Sequence, residues 1–138
     1  MVLVDSSVWI ELFRKNGDLY TGIAVENLIE EMQACFCGFV KLEVLGGARD
    51  NEIATISNLF SLVPHIPHLE PTWDETVKFQ WKARKSGLNI PWSDAVIATL
   101  ANKHGHRVYA RDKHFKSLSD LGLIALYTPG YGGSYVEP

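Results

Sequence analysis

Short apolar runs alternate with longer stretches of helical periodicity along this chain. The runs are VLV at 2–4, ACFC at 34–37, LVPHI at 62–66, RVYA at 107–110 and IALY at 124–127. Each has strand length and is apolar nearly throughout, the pattern of strands covered on both faces. Helix-length segments separate them, so the order predicts crossover units, a parallel sheet and an α/β fold. The helical segments carry stripes of their own. In 72–85, Thr72 and Glu75 are spaced as a T-x-x-E capping box, and Trp73, Val77 and Trp81 recur at i, i+4 and i+8. These tryptophans read as core or interface packing rather than as base-stacking platforms. Ile53, Ile56, Leu59 and Phe60 form a stripe in 50–60, while DAVIATLA at 94–101 is apolar nearly all round and predicts a central, covered helix. No repeat or linker divides the chain, so residues 1–138 are expected to form one domain. The tail 128–138, TPGYGGSYVEP, holds three glycines and two prolines and is expected to be loose.

Composition narrows the class. Hydrophobic residues at 46% and charged residues at 21% are ordinary for a globular protein. No run approaches the ~20 apolar residues of a membrane span. The N-terminus lacks a basic start and Asp5 interrupts its apolar stretch, which argues against a signal peptide and makes the cytoplasm the default location. Cys35 and Cys37 alternate along one strand face, where a disulfide would be badly strained, so buried reduced thiols are expected. The net charge of −3 conceals a division. Residues 1–77 carry 4 Lys/Arg against 12 Asp/Glu, whereas residues 78–116 carry 9 against 2. A basic half within an acidic chain suits a polyanion partner, although solvated helix faces would give the same count.

Four carboxylates stand apart from the surface charges. Asp5 directly follows the first apolar run, Asp112 follows RVYA after Arg111, and Asp94 opens the central helix after Pro91, Trp92 and Ser93. Taken singly, each reads as a helix cap. Taken together, they mark one rim, because ligands of an open parallel sheet bind outside the carboxyl ends of its strands. Glu43, in GFVKLEVLGG read as a helix, has Phe39, Val40, Gly46 and Gly47 as its helical neighbours and no cation among them. A carboxylate on an apolar face is costly without a compensating partner, and a divalent cation is one. Four such groups without a set of cysteines and histidines favour Mg²⁺ or Mn²⁺ over Zn²⁺. His65 and His68 flank a proline and His104 and His106 flank a glycine, which reads as turn or surface placement.

VDSSVWIELF, the glutamate of KLEVLGG, IPWSDAVIATLA and RDKHF, in this order, resemble the PIN domain, most closely the VapC-like toxins of type II toxin–antitoxin pairs. The similarity spans residues 2 to about 127. Singly these motifs are weak; all four in order are specific. One departure is Ala110, where the family often has threonine before the arginine. The resemblance implies a three-layer α/β/α fold around a central parallel sheet, with Asp5, Glu43, Asp94 and Asp112 as the catalytic, metal-holding quartet. Ser6 or Ser7 would support the metal site, and Arg111, Lys113, His114 and Lys116 are candidates for gripping the RNA backbone. The implied activity is hydrolysis of RNA phosphodiester bonds with one or two Mg²⁺ or Mn²⁺ ions, leaving 5′-phosphate and 3′-hydroxyl ends. The implied partners are the RNA, a cognate VapB-type antitoxin and a second copy of the chain in a homodimer. An antitoxin segment should bring an apolar helix face and an arginine for the acidic pocket, and Leu19, Ile23, Ile53, Ile56 and Phe60 are the apolar residues expected to receive it. The alternatives are a housekeeping PIN-type ribonuclease and a silent nuclease-like binding domain. A receiver-like phosphoacceptor would need paired acids after the first run and a lysine ending a late one. Asp5-Ser6-Ser7 and IALY supply neither.

Overall fold

The computed structural model describes all residues, Met1–Pro138. Its elements run β1 (Val2–Val4), α1 (Ser6–Phe13), α2 (Leu19–Glu30), β2 (Ala34–Cys37), α3 (Gly38–Gly46), α4 (Ile53–Ser61), β3 (His65–Ile66), α5 (Pro71–Lys85), α6 (Trp92–Lys103), β4 (Arg107–Tyr109) and α7 (Lys113–Asp120). The four strands form one sheet in the order β3-β2-β1-β4. All pairs are parallel, with Leu3 opposite Cys35 on one side and opposite Val108 on the other. The result is the expected three-layer α/β/α arrangement. β1 and β2 are buried along their whole length, which explains why their sequences are continuous apolar runs rather than alternating ones. α6 is buried from Asp94 to Ala101, as its all-round apolar pattern predicts. Both cysteines are free and buried. No helix is long and apolar enough to cross a membrane.

Five expectations need correction. IALY does not form a strand: the segment touches β4 through a single bridge, Val108 with Leu126. Val108 N–H donates to the Ala125 carbonyl at 2.8 Å and Tyr127 N–H to the Val108 carbonyl at 2.7 Å, and Pro129 follows at once, unable to extend a ladder. LVPHI shortens to His65–Ile66 because Pro64 lacks an N–H; only its carbonyl serves, accepting from Phe36 N–H at 3.1 Å.

The third concerns the capping box, which is not made. Pro71 opens α5 instead, its fixed φ and missing donor suiting the first turn, and Glu75 pairs with Lys103 at 2.9 Å. Fourth, of core and interface packing the tryptophan stripe does not take the core: it faces outward, with Trp73 and Trp81 each 50% exposed. The buried face of α5 is Thr72, Thr76, Phe79 and Ala83. Threonine fits there because its hydroxyl bonds back into the helix, Thr76 Oγ1 to the Thr72 carbonyl at 2.7 Å, and its small size lets α6 approach.

Last, the tail is docked rather than loose. Asn27 Nδ2 donates to the Gly133 carbonyl at 2.8 Å, Tyr20 Oη to that of Gly130 at 2.9 Å, and Arg107 to that of Val136 at 2.8 Å. Gly133 has φ +80 and lies against α2, where a Cβ would meet Ala24 N at 3.1 Å; no other residue fits there without strain.

Candidate functional site

Because every strand is parallel, β1, β2 and β4 deliver their following residues to one rim. Asp5 leaves β1 as the N-cap of α1, accepting from Ser7 N–H at 3.1 Å and from Ser7 Oγ at 2.6 Å. Ser7 Oγ in turn accepts Arg111 N–H at 3.0 Å, which ties the end of β1 to the segment after β4. Of the two serines, it is Ser7 whose hydroxyl meets the carboxylate. Trp9, fully buried, donates its indole N–H to the Val4 carbonyl at 3.1 Å and so fixes α1 over the strand end.

Asp112 is likewise a cap, accepting His114 N–H at 2.8 Å at the start of α7. Asp94 is not. The N-cap position of α6 is Pro91, and Asp94 lies in the first turn, 8% exposed. Its only side-chain hydrogen-bond partner is His114 Nδ1, 3.1 Å from Oδ2. The same nitrogen is 2.9 Å from Asp112 Oδ1. One ligand atom from each of Asp94, Asp112 and His114 lies within 4.8 Å of the other two.

The electrostatics report crowding. Burial, then the charges of Asp112 and Asp5, push the Asp94 carboxyl up to about 6, against a smaller opposing effect from His114. Asp5 is raised too, first by burial and lastly by Asp112, with the Ser7 hydrogen bonds holding the rise back. Two buried carboxylates, both raised, stand beside the charge of Asp112 and form with it a hard oxygen set short of positive charge. That set fits a divalent cation.

Glu43 stands further out. It is exposed on α3 and forms no ion pair. Its charge and that of Asp5 both act on the Cys37 thiol, which burial first of all pushes up. Beside Glu43 opens a groove of about 650 Å³ with Ile10, Phe13, Val44 and Ile56 in its lining and Arg14, Lys15 and Arg49 among its polar residues. The apolar residues expected to receive a partner divide: Ile56 and Phe60 are buried, while Leu19 and Ile53 are exposed.

The cations near Asp112 are mostly engaged. Arg111 pairs with Glu11 at 2.9 Å, Lys116 pairs with Asp120, and His114 faces the acidic pair. Lys113 alone of the four RNA-backbone candidates is exposed without an ion pair. Sequence reasoning missed Glu11. It accepts Asp18 N–H at 2.7 Å and pairs with both Arg14 and Arg111, so it anchors the Arg111 segment beside the site. Arg14 at i+3 was a visible signal; the contact to Arg111 is made only by the fold.

Comparison with known proteins identifies relatives of this chain. The family model of the PIN domain matches residues 2–121. The chain is 33% identical over 130 residues to ribonuclease VapC11 of Mycobacterium tuberculosis, covering 88% of this chain and 93% of that protein. The crystal structure of FitAcB from Neisseria gonorrhoeae superposes with a TM-score of 0.76 at 20% identity, over 93% of this chain and 97% of the other. A toxin–antitoxin complex from Klebsiella pneumoniae contains a chain that superposes with a TM-score of 0.70 at 18% identity, covering 93% and 97%.

Proposed function

The chain belongs to the PIN-domain family, and from that premise we propose that it is a divalent-metal-dependent endoribonuclease serving as the toxin of a type II toxin–antitoxin pair. The observation that carries this reading is the meeting of Asp94 and Asp112, with Asp5 beside them, at the carboxyl rim of a parallel sheet. The name of the VapC11 relative supports the ribonuclease activity. Asp5, Asp94 and Asp112, with Glu43 from α3 completing the set, are the groups to hold one or two Mg²⁺ or Mn²⁺ ions. Such an ion, when bound, acidifies a water and neutralises charge on the scissile phosphate. Ser7 fixes the Asp5 carboxylate, the Glu11–Arg111 pair holds the segment leading to Asp112, and Lys113 offers a free cation for the RNA backbone.

A cytoplasmic ribonuclease needs restraint, and the groove beside Glu43 suits an antitoxin segment. Its apolar lining would take a helix face, and an arginine could enter the acidic pocket in place of a metal's charge. The outward stripe of Trp73, Val77 and Trp81 leaves apolar surface for a second copy of the chain, so Trp81→Glu should shift the particle toward monomer in light scattering. The decisive experiment is RNA cleavage by purified protein with 5′-end mapping. Ends bearing 5′-phosphate that vanish with EDTA support the reading; cleavage indifferent to EDTA overturns it. Co-expression with the product of the adjacent upstream reading frame should yield an inactive complex. Failure to bind or inhibit would leave a housekeeping ribonuclease.

A further inference from the structure

His114 has no place in the acidic quartet, yet its ring meets two of the quartet's carboxylates. Its Nδ1 is 3.1 Å from Asp94 Oδ2 and 2.9 Å from Asp112 Oδ1. Here the nitrogen stands nearly equidistant from two carboxylates carried by different elements, α6 and the cap of α7.

We propose that His114 is itself a ligand of the cation held by Asp94 and Asp112, placing one imidazole nitrogen among the oxygens and tilting the site toward Mn²⁺ over Mg²⁺. The spacing supports it. Bonds of about 2.1 Å set neighbouring octahedral ligands about 3.0 Å apart, so both Nδ1–oxygen separations match the edge of a coordination octahedron. The ring is also held for the task. His114 N–H is pinned to Asp112 Oδ1 at 2.8 Å, and the next residue, Phe115, is fully buried, fixing the first turn of α7. His114 remains partly exposed, which leaves the outer side of the site open to water and substrate. Coordination uses the Nδ1 lone pair, with the proton on Nε2. Imidazole suits transition ions better than Mg²⁺, which gives the predicted preference.

The inference rests on the metal site proposed above, and one experiment separates the two. Mn²⁺ is titrated into purified protein and followed by electron paramagnetic resonance, with spin-echo modulation reporting nitrogen bound directly to the ion. Native protein should bind Mn²⁺ with a nitrogen signal. In His114→Gln the signal should disappear, with Mn²⁺ affinity falling about tenfold or more and Mg²⁺ affinity falling less. Protein labelled with ¹⁵N-histidine tests the point without any substitution, because the ¹⁴N modulation should give way to that of ¹⁵N. Bound Mn²⁺ with no histidine nitrogen signal, or a signal that survives in His114→Gln, overturns the role of His114 and leaves the carboxylate site standing. No binding of Mn²⁺ by native protein overturns both.

Discussion

Asp5 and Asp94 are both buried carboxylates at one rim, and both are raised by burial, but they are held in different ways. Asp5 caps α1, receives two hydrogen bonds from Ser7, and sits where Ser7 also binds Arg111. Asp94 caps nothing and meets only His114. The first has a structural reason to be an aspartate whether or not a metal is ever bound. The second has none, and its burial is a cost that only His114 offsets until a cation arrives. A carboxylate can therefore serve as cap and ligand together, and Asp94 is the purer marker of chemistry.

The largest expected effect tests that contrast. Asp5→Ala and Asp94→Asn should each lower RNA cleavage by at least about two orders of magnitude, since even groups that merely orient metal ligands are worth 10–100-fold. Their stabilities should part. Asp5→Ala loses a cap and is expected to cost about 1–2 kcal/mol in denaturant unfolding. Asp94→Asn relieves repulsion and should leave the metal-free protein as stable or more so. Equal destabilisation by the two would break the comparison.

A smaller effect follows from pH. The Asp94 carboxyl in the folded chain titrates at about 6, above the ordinary 3.8, so the folded state binds this proton more tightly than the unfolded state does. The stability it contributes is complete below about pH 3.8 and is lost as pH rises through about 6, and Asp5 acts in the same direction. With EDTA present, the melting temperature should fall between about pH 4 and about pH 7, and Asp94→Asn should flatten that fall. A native profile rising over the same range would contradict the crowding.

The smallest effect is that of Ser7→Ala. It removes the hydroxyl that links Asp5 to Arg111 N–H and should cost about 1 kcal/mol, with a partial loss of cleavage. An effect as large from Ser6→Ala would mean that the wrong serine has been singled out.

The sheet and the three aspartates were legible because each is written locally. VLV and ACFC are continuous apolar runs, and Asp5, Asp94 and Asp112 each stand at an element boundary that such runs define. What escaped was set by neighbours distant in sequence. The period of Trp73, Val77 and Trp81 is correct for a helix but cannot say which face is buried, and the threonine face won because α6 packs closely there. The glycine-rich tail looks loose until Tyr20 and Asn27 of α2 and Arg107 of β4 take its carbonyls. In the sequence His114 looks like a cation for RNA, because its place two residues from Asp112 says nothing of Asp94, twenty residues away.

Anomalous diffraction from crystals soaked in Mn²⁺ tests the central claim most directly. The account predicts a peak bounded by the carboxylates of Asp94 and Asp112, with Asp5 beside it, absent from Asp94→Asn crystals grown alike. A fully soaked native crystal with no peak there, or with its strongest peak elsewhere on the protein, would contradict it.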